Sequence, residues 1–365
     1  MIMKLSTILA ELERIAPTSM AESWDNVGLI TGDPDQDIKR ALLTIDYTSQ
    51  VAEERASADC DLVIAYHPPL FHAVKKLTAG SLIFDAIRRG VAIYSPHTAL
   101  DVADGGTNDV LCDIMGATKR GPLKPAVSAV SQYKLVTFVP PDALEAVSDR
   151  LFAAGAGRIG NYECCSFRAR GTGTFFGNDN AQPAVGRSGR LEQADEIRVE
   201  TLVPLKRVDE VIAALRSAHP YEEPAFDLVS LAAPPTTDGM GRVADLEHPI
   251  GRQELIEKIK AALGLSHVLI AGPTTGIAKR VAACAGACGD LLDNAIEQKA
   301  DVYLTGEMRH HDALKAAIAG LTVICTLHSN SERVTLKGLQ ERLTASLPSL
   351  PILLSAADRD PFSVR

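Results

Sequence analysis

Two residues near the C-terminal end of the chain have the types and the spacing of metal ligands. His328 and Glu332 follow the apolar run 321–325 and open a segment with helical periodicity. An imidazole and a carboxylate that project from the same helical end together suit a divalent cation. Residues 329–332, Ser-Asn-Ser-Glu, also fit a capping box, in which Glu332 binds the Ser329 amide and no metal is needed. Both interpretations stay open at this stage.

Further polar residues follow three predicted strands in the first part of the chain. Short apolar runs of this kind indicate buried, mostly parallel strands, and α/β proteins place their sites at the carboxyl edge of such a sheet. A single His at a strand end is usually structural, but several on separate strands are harder to explain by coincidence. The runs are 41–45, followed by Asp46; 62–65, followed by Tyr66 and His67; and 91–95, followed by His97 and Asp101.

Another group of ionisable residues follows the predicted strand 302–304. It contains Glu307, His310 and His311. If a helix starts near Glu307, the two His residues fall one turn further on and share a face of that helix. This group therefore joins the candidates for a common site at the sheet edge.

The strand and helix pattern breaks near 122–125, and the segment up to 233–235 has the character of a separate unit. Its elements form two β-α-β halves, which is typical of a small ferredoxin-like sheet with helices on one face. We therefore predict an inserted α+β domain. The predicted elements are strands at 133–139, 197–203 and 225–231 and helices at 142–152 and 208–218.

Two stretches of this middle segment invite a functional interpretation. The glycine-rich run 171–177 could cradle a phosphate, but no helix follows it directly, so we interpret it as hairpin turns. The stretch 219–224 contains His219, Glu222 and Glu223, which could bind a metal. Its flanking prolines favour a rigid connection between a helix and a strand instead.

The composition indicates a folded protein with a substantial core. The chain has 365 residues, 46% of them hydrophobic, which allows two domains. The net charge of −9 argues against a nucleic-acid partner, because phosphate binding needs clustered Lys and Arg. Neither a signal peptide nor a bilayer-spanning run is evident, so we expect a cytoplasmic protein without a membrane partner. The spacing of the 7 Cys residues indicates reduced thiols.

Several of these stretches, taken together and in order, resemble one family, the GTP cyclohydrolase I type 2 homologues, also called Nif-three-like proteins. The resemblance implies a metal-binding α/β domain formed by 1–127 and 234–365, which is split by an inserted ferredoxin-like domain of the PII-like or CutA-like type at 128–233. The motifs are Glu22-Ser23-Trp24-Asp25-Asn26-Val27-Gly28-Leu29, Tyr66-His67-Pro68-Pro69-Leu70-Phe71, His97-Thr98-Ala99-Leu100-Asp101, Thr305-Gly306-Glu307 with His310-His311, and His328 with Glu332.

The resemblance also implies a two-metal site in proteins that assemble as ring-shaped homohexamers. Carried over by motif, His67, Asp101, His328 and Glu332 are the ligands, and Glu332 bridges both ions. Many members have two consecutive His residues before Pro, where this chain has Tyr66 and His67. The second ion therefore loses an imidazole, and Tyr66 becomes a weak ligand or a hydrogen-bond partner of a bound water. We expect one or two ions per chain.

The residue types agree with this expectation. Imidazole and carboxylate ligands suit zinc, iron or manganese, and fewer than four protein ligands per ion leave a position for water. Such a site could lower the pKa of that water. Candidates for orienting the ligands or for transferring protons are His97, Glu307, His310 and His311.

Two functions from different classes follow. The first is a metal-dependent hydrolase that uses metal-activated water on a nucleotide-like or other cyclic small molecule. The second is a metal-handling or regulatory protein without turnover, in which the inserted domain senses a ligand. A third, a scaffold for transcription factors, rests on family naming alone. Enzymatic activity stays open from the sequence.

Overall fold

The computed structural model describes residues 2–126, 132–231 and 238–363. The helices in these ranges are α1 (Leu5–Ile15), α2 (Ser49–Ser57), α3 (Leu82–Arg88), α4 (His97–Val102), α5 (Thr107–Met115), α6 (Leu144–Ala153), α7 (Val208–Ala218), α8 (Arg252–Leu263), α9 (Leu292–Glu297), α10 (His310–Ile318) and α11 (His328–Ser346). The strands are β1 (Met3–Lys4), β2 (Gly28–Thr31), β3 (Asp37–Ile38), β4 (Ala41–Thr44), β5 (Leu62–Ala65), β6 (Ala92–Ser95), β7 (Arg120–Pro125), β8 (Gln132–Val139), β9 (Ser166–Phe176), β10 (Leu191–Pro204), β11 (Phe226–Ser230), β12 (Gly239–Gly251), β13 (Leu269–Ala271), β14 (Ile277–Cys284), β15 (Val302–Thr305), β16 (Thr322–Cys325) and β17 (Ile352–Leu354).

The chain divides into two units. Unit 1 consists of Met1–Ala126 and Thr237–Arg365, and unit 2 consists of Val127–Thr236. The predicted domain boundaries, after 127 and after 233, lie outside the described residues. None of the helices within the described ranges has the length and apolar character required to cross a bilayer.

Unit 1 contains a five-stranded sheet in the order β17-β4-β5-β6-β2. The neighbours from β17 to β6 are parallel, and β2 is antiparallel to β6. Every residue of β4, β5 and β6 is buried, as expected of short apolar strands that are covered on both faces. Leu43 and Ile64 pack against α1 and α11, whereas Leu42 and Val63 pack against α2 and α3.

A second sheet of unit 1 has six strands in the order β13-β16-β15-β14-β12-β7. Its central strands β14, β15 and β16 are parallel, and the outer strands are antiparallel to their neighbours. One face packs against α5 and α8 through residues such as Leu111 and Ile259. The other face packs against α9 and α10 through Leu292 and Ala316. Each sheet therefore supplies a group of parallel strands whose carboxyl ends can position side chains.

The start of α10 differs from the prediction. We expected a helix from near Glu307, but α10 begins at His310, and the preceding Arg309 is extended with φ −73° and ψ 152°. His310 and His311 therefore occupy the first turn, where both are exposed. Residues 307–309 belong to neither strand nor helix, so the helix that the sequence suggested from near Glu307 begins three residues later.

Unit 2 has a four-stranded antiparallel sheet in the order β11-β8-β10-β9. Its described elements follow the order β-α-β-β-α-β, which is that of the ferredoxin-like fold. The core of the unit forms where Val147 and Leu151 of α6 and Val211 and Leu215 of α7 pack on the sheet.

Gly171 and Gly173 of the run 171–177 do not form the hairpin turns that we predicted, whereas Gly177 follows β9 directly. Gly171 and Gly173 lie inside β9, paired with Glu196 and Ala194 of β10. A Cβ atom on Gly173 would stand 2.2 Å from Oε2 of Glu196, so the missing side chain makes room for that carboxylate across the sheet. The turn prediction was wrong for Gly171 and Gly173 because both lie within a strand, and at Gly173 the close approach of Glu196 leaves no space for a side chain.

Candidate metal site

The carboxyl ends of both groups of parallel strands in unit 1 face one cavity of about 1140 Å³. In the first sheet, polar residues follow β4, β5 and β6; in the second, small or polar residues follow β14, β15 and β16. The cavity walls thus come from sequence positions far apart. The lining residues that follow these strands are Asp46, His67, His97, Gly286, Glu307 and His328.

Three side chains in this cavity lie close enough to share an ion. Nε2 of His67 is 3.1 Å from Oε2 of Glu332, and Nε2 of His328 is 3.4 Å from Oε1 of the same carboxylate. All three ligand atoms lie within 4.8 Å of one another. Among the described residues, His67, His328 and Glu332 are the group of this kind that the structure contains.

The second ring nitrogen of each of these His residues faces another carboxylate. Nδ1 of His67 is 2.9 Å from Oδ1 of Asp46, and Nδ1 of His328 is 3.4 Å from Oε1 of Glu307. In each sheet the carboxylate follows one strand and the imidazole follows its parallel neighbour. A carboxylate on Nδ1 fixes the tautomer and leaves Nε2 to bind a metal, which is the usual arrangement behind metal-binding His.

Two atoms of this group are buried and have no hydrogen-bond partner. They are Nε2 of His67 and Oε2 of Glu332, which lie 3.1 Å apart as an ion pair when the imidazole is protonated but lack the geometry of a hydrogen bond. A buried polar atom without a hydrogen bond costs roughly 1–3 kcal/mol, so a fold rarely leaves two of them facing each other. A cation between them would satisfy both, and the donor set therefore fits a divalent metal.

The capping-box interpretation of Glu332 is wrong. Helix α11 begins at His328, two residues earlier than a Ser329 cap requires, and its N-cap Leu327 makes no side-chain capping bond. The Glu332 carboxylate instead faces the two imidazoles, and it is only 3% exposed. The Ser329 hydroxyl donates to Oδ2 of Asp360 at 2.9 Å. Glu332 is therefore free to act as a ligand.

The backbone beside this group is shaped to leave it room. Gly286 has φ +71°, and a Cβ atom there would lie 3.0 Å from Oε1 of Glu332 and 3.4 Å from Nε2 of His328. Leu327, directly before His328, has φ 70° and ψ 156°, a region that residues other than glycine rarely occupy. Strain of this kind is concentrated at functional sites.

Protonation of the ligands follows from their surroundings. Burial alone would lower the pKa of His67, but the hydrogen bond to Asp46 and the nearby Glu332 carboxylate outweigh it and raise that pKa to about 10. For Asp46, the hydrogen bond from His67 holds the pKa below its ordinary value against the opposing effect of burial. A metal ion must therefore displace a proton from His67 in order to bind.

Asp101 and Tyr66 form a separate buried pair. The Tyr66 hydroxyl donates a short hydrogen bond to Oδ1 of Asp101 and lies 3.0 Å from Oγ1 of Thr107. Burial and the charge of Glu332 raise the pKa of Asp101 to about 6, against the lowering effect of the Tyr66 hydrogen bond. Asp101 lines the cavity but is not in the three-residue group found among the described residues. Its ligation stays a prediction.

His97 is held by a buried acid that we did not single out from the sequence. Its Nδ1 lies 2.8 Å from Oδ1 of Asp25, whose side chain is 0% exposed. The Thr98 amide also donates to Oδ2 of Asp25 at 3.1 Å. Burial would raise the pKa of Asp25, but the bonds from His97 and Thr98 outweigh it and lower that pKa. His97 is thereby fixed at the cavity wall.

The remaining candidate residues, Glu307, His310 and His311, differ in how close they lie to the metal-binding group. Glu307 contacts His328, as described above. His310 and His311 contact each other, with ring centroids 5.4 Å apart, and neither lines the cavity as far as the chain is described. Sequence reasoning missed the roles of Asp46 and Asp25. Asp46 follows β4, the neighbour of the strand that His67 follows, and that position was a usable signal. Asp25 lies in the loop before β2 and has no such signal.

These features define an α/β protein with a candidate metal site between the carboxyl ends of two groups of parallel strands. A family model described as Duf34/NIF3 (NGG1p interacting factor 3) matches residues 3–361. The chain therefore belongs to the Duf34/NIF3 family, in agreement with the resemblance seen in its motifs.

Relatives and solved structures match along nearly the whole chain. A GTP cyclohydrolase 1 type 2 homolog from Halalkalibacterium halodurans is 33% identical over 365 residues and covers 98% of each chain. One of the same name from Mycobacterium tuberculosis is 35% identical over 372 residues, covering 100% of this chain and 98% of its own. A crystal structure of a Bacillus cereus protein related to NIF3 has 32% identity and a TM-score of 0.68, and Staphylococcus aureus protein SA1388 has 28% identity and a TM-score of 0.76; both cover 100% of this chain and 99% of their own.

Proposed function

We propose that this protein binds one divalent metal ion through His67, His328 and Glu332 and acts as a metal-dependent hydrolase. The ion is zinc, iron or manganese, since mixed imidazole and carboxylate ligands suit these metals. The substrate is a nucleotide-like or other cyclic small molecule, by likeness to relatives whose name is GTP cyclohydrolase 1 type 2 homolog.

One observation carries the metal proposal: Nε2 of His67 and Oε2 of Glu332 are buried, face each other and lack hydrogen-bond partners. With Nε2 of His328, they supply three protein ligands. Three ligands rather than four are typical of catalytic sites, because the remaining position is left for water or substrate. The Tyr66 hydroxyl supports a single ion, since it occupies an oxygen of Asp101 that a second ion would need.

When bound, a divalent ion at such a site supplies Lewis acidity and lowers the pKa of a coordinated water. The chain supplies the groups that position the ligands and move protons. Asp46 and Glu307 orient the two imidazoles through their Nδ1 atoms. His97 keeps a proton on the Nδ1 that faces Asp25, so its Nε2 is the atom that accepts or donates a proton at the cavity.

The test is turnover of a panel of nucleotides and cyclic amides with zinc, iron or manganese added and then removed by a chelator. We expect His328→Ala to abolish hydrolysis and His97→Gln to lower kcat more than KM. The exposed His267 is the matched control, and His267→Ala should leave turnover unchanged. Hydrolysis that survives in His328→Ala would show that the enzyme assignment is wrong.

A metal-handling protein without turnover is the second candidate, and the exposure of His328 favours it. Its side chain is 37% exposed, so one ligand is open to solvent and to competing acceptors. A carrier should exchange its ion with a chelator within minutes, whereas a catalytic centre should keep its ion through purification. The exchange rate therefore separates the two functions.

Assembly and the role of unit 2 are proposals that rest on the family resemblance. We propose a homohexamer, and that unit 2 is a PII-like or CutA-like module that senses a small-molecule ligand. Light scattering tests the assembly.

A further inference from the structure

We propose that the cavity of unit 1 binds a compound with a planar aromatic ring, which stacks on a wall formed by Trp24 and Phe71. This inference rests on the proposed function, because it places the ring beside the metal-binding group of the same cavity. Both residues line that cavity. Neither has a role in holding the metal ligands.

Both aromatic side chains are far more exposed than their types normally are. Trp24, the single Trp of the chain, is 58% exposed, and Phe71 is 41% exposed. Their ring centroids are 5.8 Å apart with an interplanar angle of 56°. Large aromatic surfaces that stay in water are costly, and their place in a cavity indicates a ligand that covers them.

The loop that carries Trp24 is held in place on both sides of this residue. Asp25 is buried and accepts hydrogen bonds from Thr98, as described above, and Nδ2 of Asn26 donates to the Leu70 carbonyl at 2.5 Å. The Glu22 amide donates to Oγ1 of Thr98 at 3.1 Å. The indole is therefore presented by an ordered backbone, so a ligand that stacks on it pays little additional ordering cost.

A continuous row of rings leads from this wall to the metal-binding group. The centroid of Trp24 is 6.2 Å from that of His97, His97 is 5.3 Å from His67, and His67 is 5.3 Å from His328. Phe71 is 6.3 Å from His97. A ligand whose ring lies on Trp24 can extend along this row and still place a polar group at the three ligands.

The volume agrees with a ligand of this kind. Pockets for small molecules and cofactors measure roughly 300–1,000 Å³. The cavity of about 1140 Å³ is slightly larger than this range, so a ring with a polar extension fits.

The test compares guanosine 5′-monophosphate with ribose 5-phosphate, which share sugar and phosphate and differ by the planar ring. Both are titrated into metal-loaded protein by calorimetry and by tryptophan fluorescence, which reports on Trp24 alone. We expect the nucleotide to bind at least about 10-fold more tightly and to quench the emission, since base stacking on an aromatic side chain has this effect.

Alanine variants test whether Trp24 and Phe71 cause the tighter binding of the nucleotide. Trp24→Ala and Phe71→Ala should each bring the affinity of the nucleotide close to that of ribose 5-phosphate. Both side chains are exposed, so these changes should leave the fold intact. The matched control is Phe176→Ala, an exposed Phe of unit 2 at 64%, which should not alter binding.

Metal content, measured on the same samples, separates the two proposals. If the protein holds its ion but the two compounds bind equally and the emission does not change, the ring proposal is overturned while the metal proposal stands. If no ion is held and the nucleotide still quenches Trp24, the metal proposal fails alone. An emission that already indicates a covered indole before any ligand is added would mean that a second copy occupies the wall, which also overturns the ring proposal.

Discussion

His219 of unit 2 and His67 of unit 1 differ in the partners of their ring nitrogens. In unit 2, Nε2 of His219 is 2.9 Å from the carbonyl oxygen of Phe138. Its Nδ1 accepts a hydrogen bond from the Tyr221 amide at 3.1 Å. His67 of unit 1 has one nitrogen on Asp46, and its other nitrogen faces Glu332 without a hydrogen bond.

The difference separates a structural His from a candidate ligand. Both ring nitrogens of His219 form hydrogen bonds with the backbone. The side chain therefore holds the connection 219–224 in place, as we predicted, and has no lone pair left for a metal. His67 has one nitrogen unsatisfied and aimed at a carboxylate. The two residues share their type; whether the second ring nitrogen has a hydrogen-bond partner distinguishes their roles.

The largest expected effect comes from removing a ligand in one unit and the structural His in the other. His328→Ala should weaken zinc binding by about 100-fold or more, because losing a ligand costs more than losing a residue behind it. His219→Ala should leave zinc affinity unchanged and lower the stability of unit 2. Calorimetric titration measures both affinities. Equal losses in the two variants would remove the distinction between the two histidines.

The two carboxylates behind the ligands should differ in effect. Asp46→Ala should weaken zinc binding by about 10- to 100-fold, since it removes the 2.9 Å bond that orients His67. Glu307→Ala should cost less, because its oxygen lies 3.4 Å from Nδ1 of His328, farther than the 2.9 Å that separates Asp46 from Nδ1 of His67. Competition with a chelating dye gives both constants. A larger effect from Glu307 would contradict this order.

Backbone strain next to the metal-binding group should have a smaller effect, on the free energy of unfolding. At the strained position glycine should be more stable than alanine, the reverse of the usual order within a helix. At Leu327, with φ 70° and ψ 156°, we expect Leu327→Gly to be more stable than Leu327→Ala by about 1 kcal/mol. At Leu336, inside α11, glycine should be less stable than alanine by about 1 kcal/mol. Denaturant unfolding of the four variants measures the free energies. An Ala variant as stable as the Gly variant at Leu327 would argue against strain there.

The smallest effect concerns pH in unit 2. Burial lowers the pKa of His219 below its ordinary 6.5, despite the bond to the Phe138 carbonyl. The unfolded chain then binds the proton more readily, so this contribution to stability is complete above about 6.5 and is lost as pH falls below it. His219 is the sole His in 132–231, so amide exchange of unit 2 between pH 5 and 8 isolates it. His219→Gln should make the stability of unit 2 less dependent on pH. If the pH dependence of stability is unchanged in this variant, it comes from other titratable groups.

Local sequence patterns predicted the parts of the fold that depend on local physics. The apolar runs at 41–45 and 62–65 coincide with β4 and β5, because buried parallel strands need continuous apolar residues. His67 and His328 were found because each follows such a run. The motifs also indicated the family.

Features that depend on distant partners were not predictable in this way. The pairing of Asp25 with His97 joins residues far apart in the chain, and nothing in the local sequence marks it. Gly173 was mistaken for a turn residue because glycine favours turns. In the structure it lies within a strand, and its missing side chain leaves room for Glu196 on the neighbouring strand. The capping box at 329–332 matched its pattern fully, and the helix still began two residues earlier than a Ser329 cap requires.

The number of metal ions per chain tests the central claim most directly. Equilibrium dialysis against zinc, followed by elemental analysis, should give one ion per chain for the natural protein, because Tyr66 holds the Asp101 carboxylate. Tyr66→His should raise the number to two by freeing Asp101 and adding an imidazole, and Glu332→Gln should reduce it to none. Two tightly held ions in the natural protein, or one that survives in Glu332→Gln, would contradict the account.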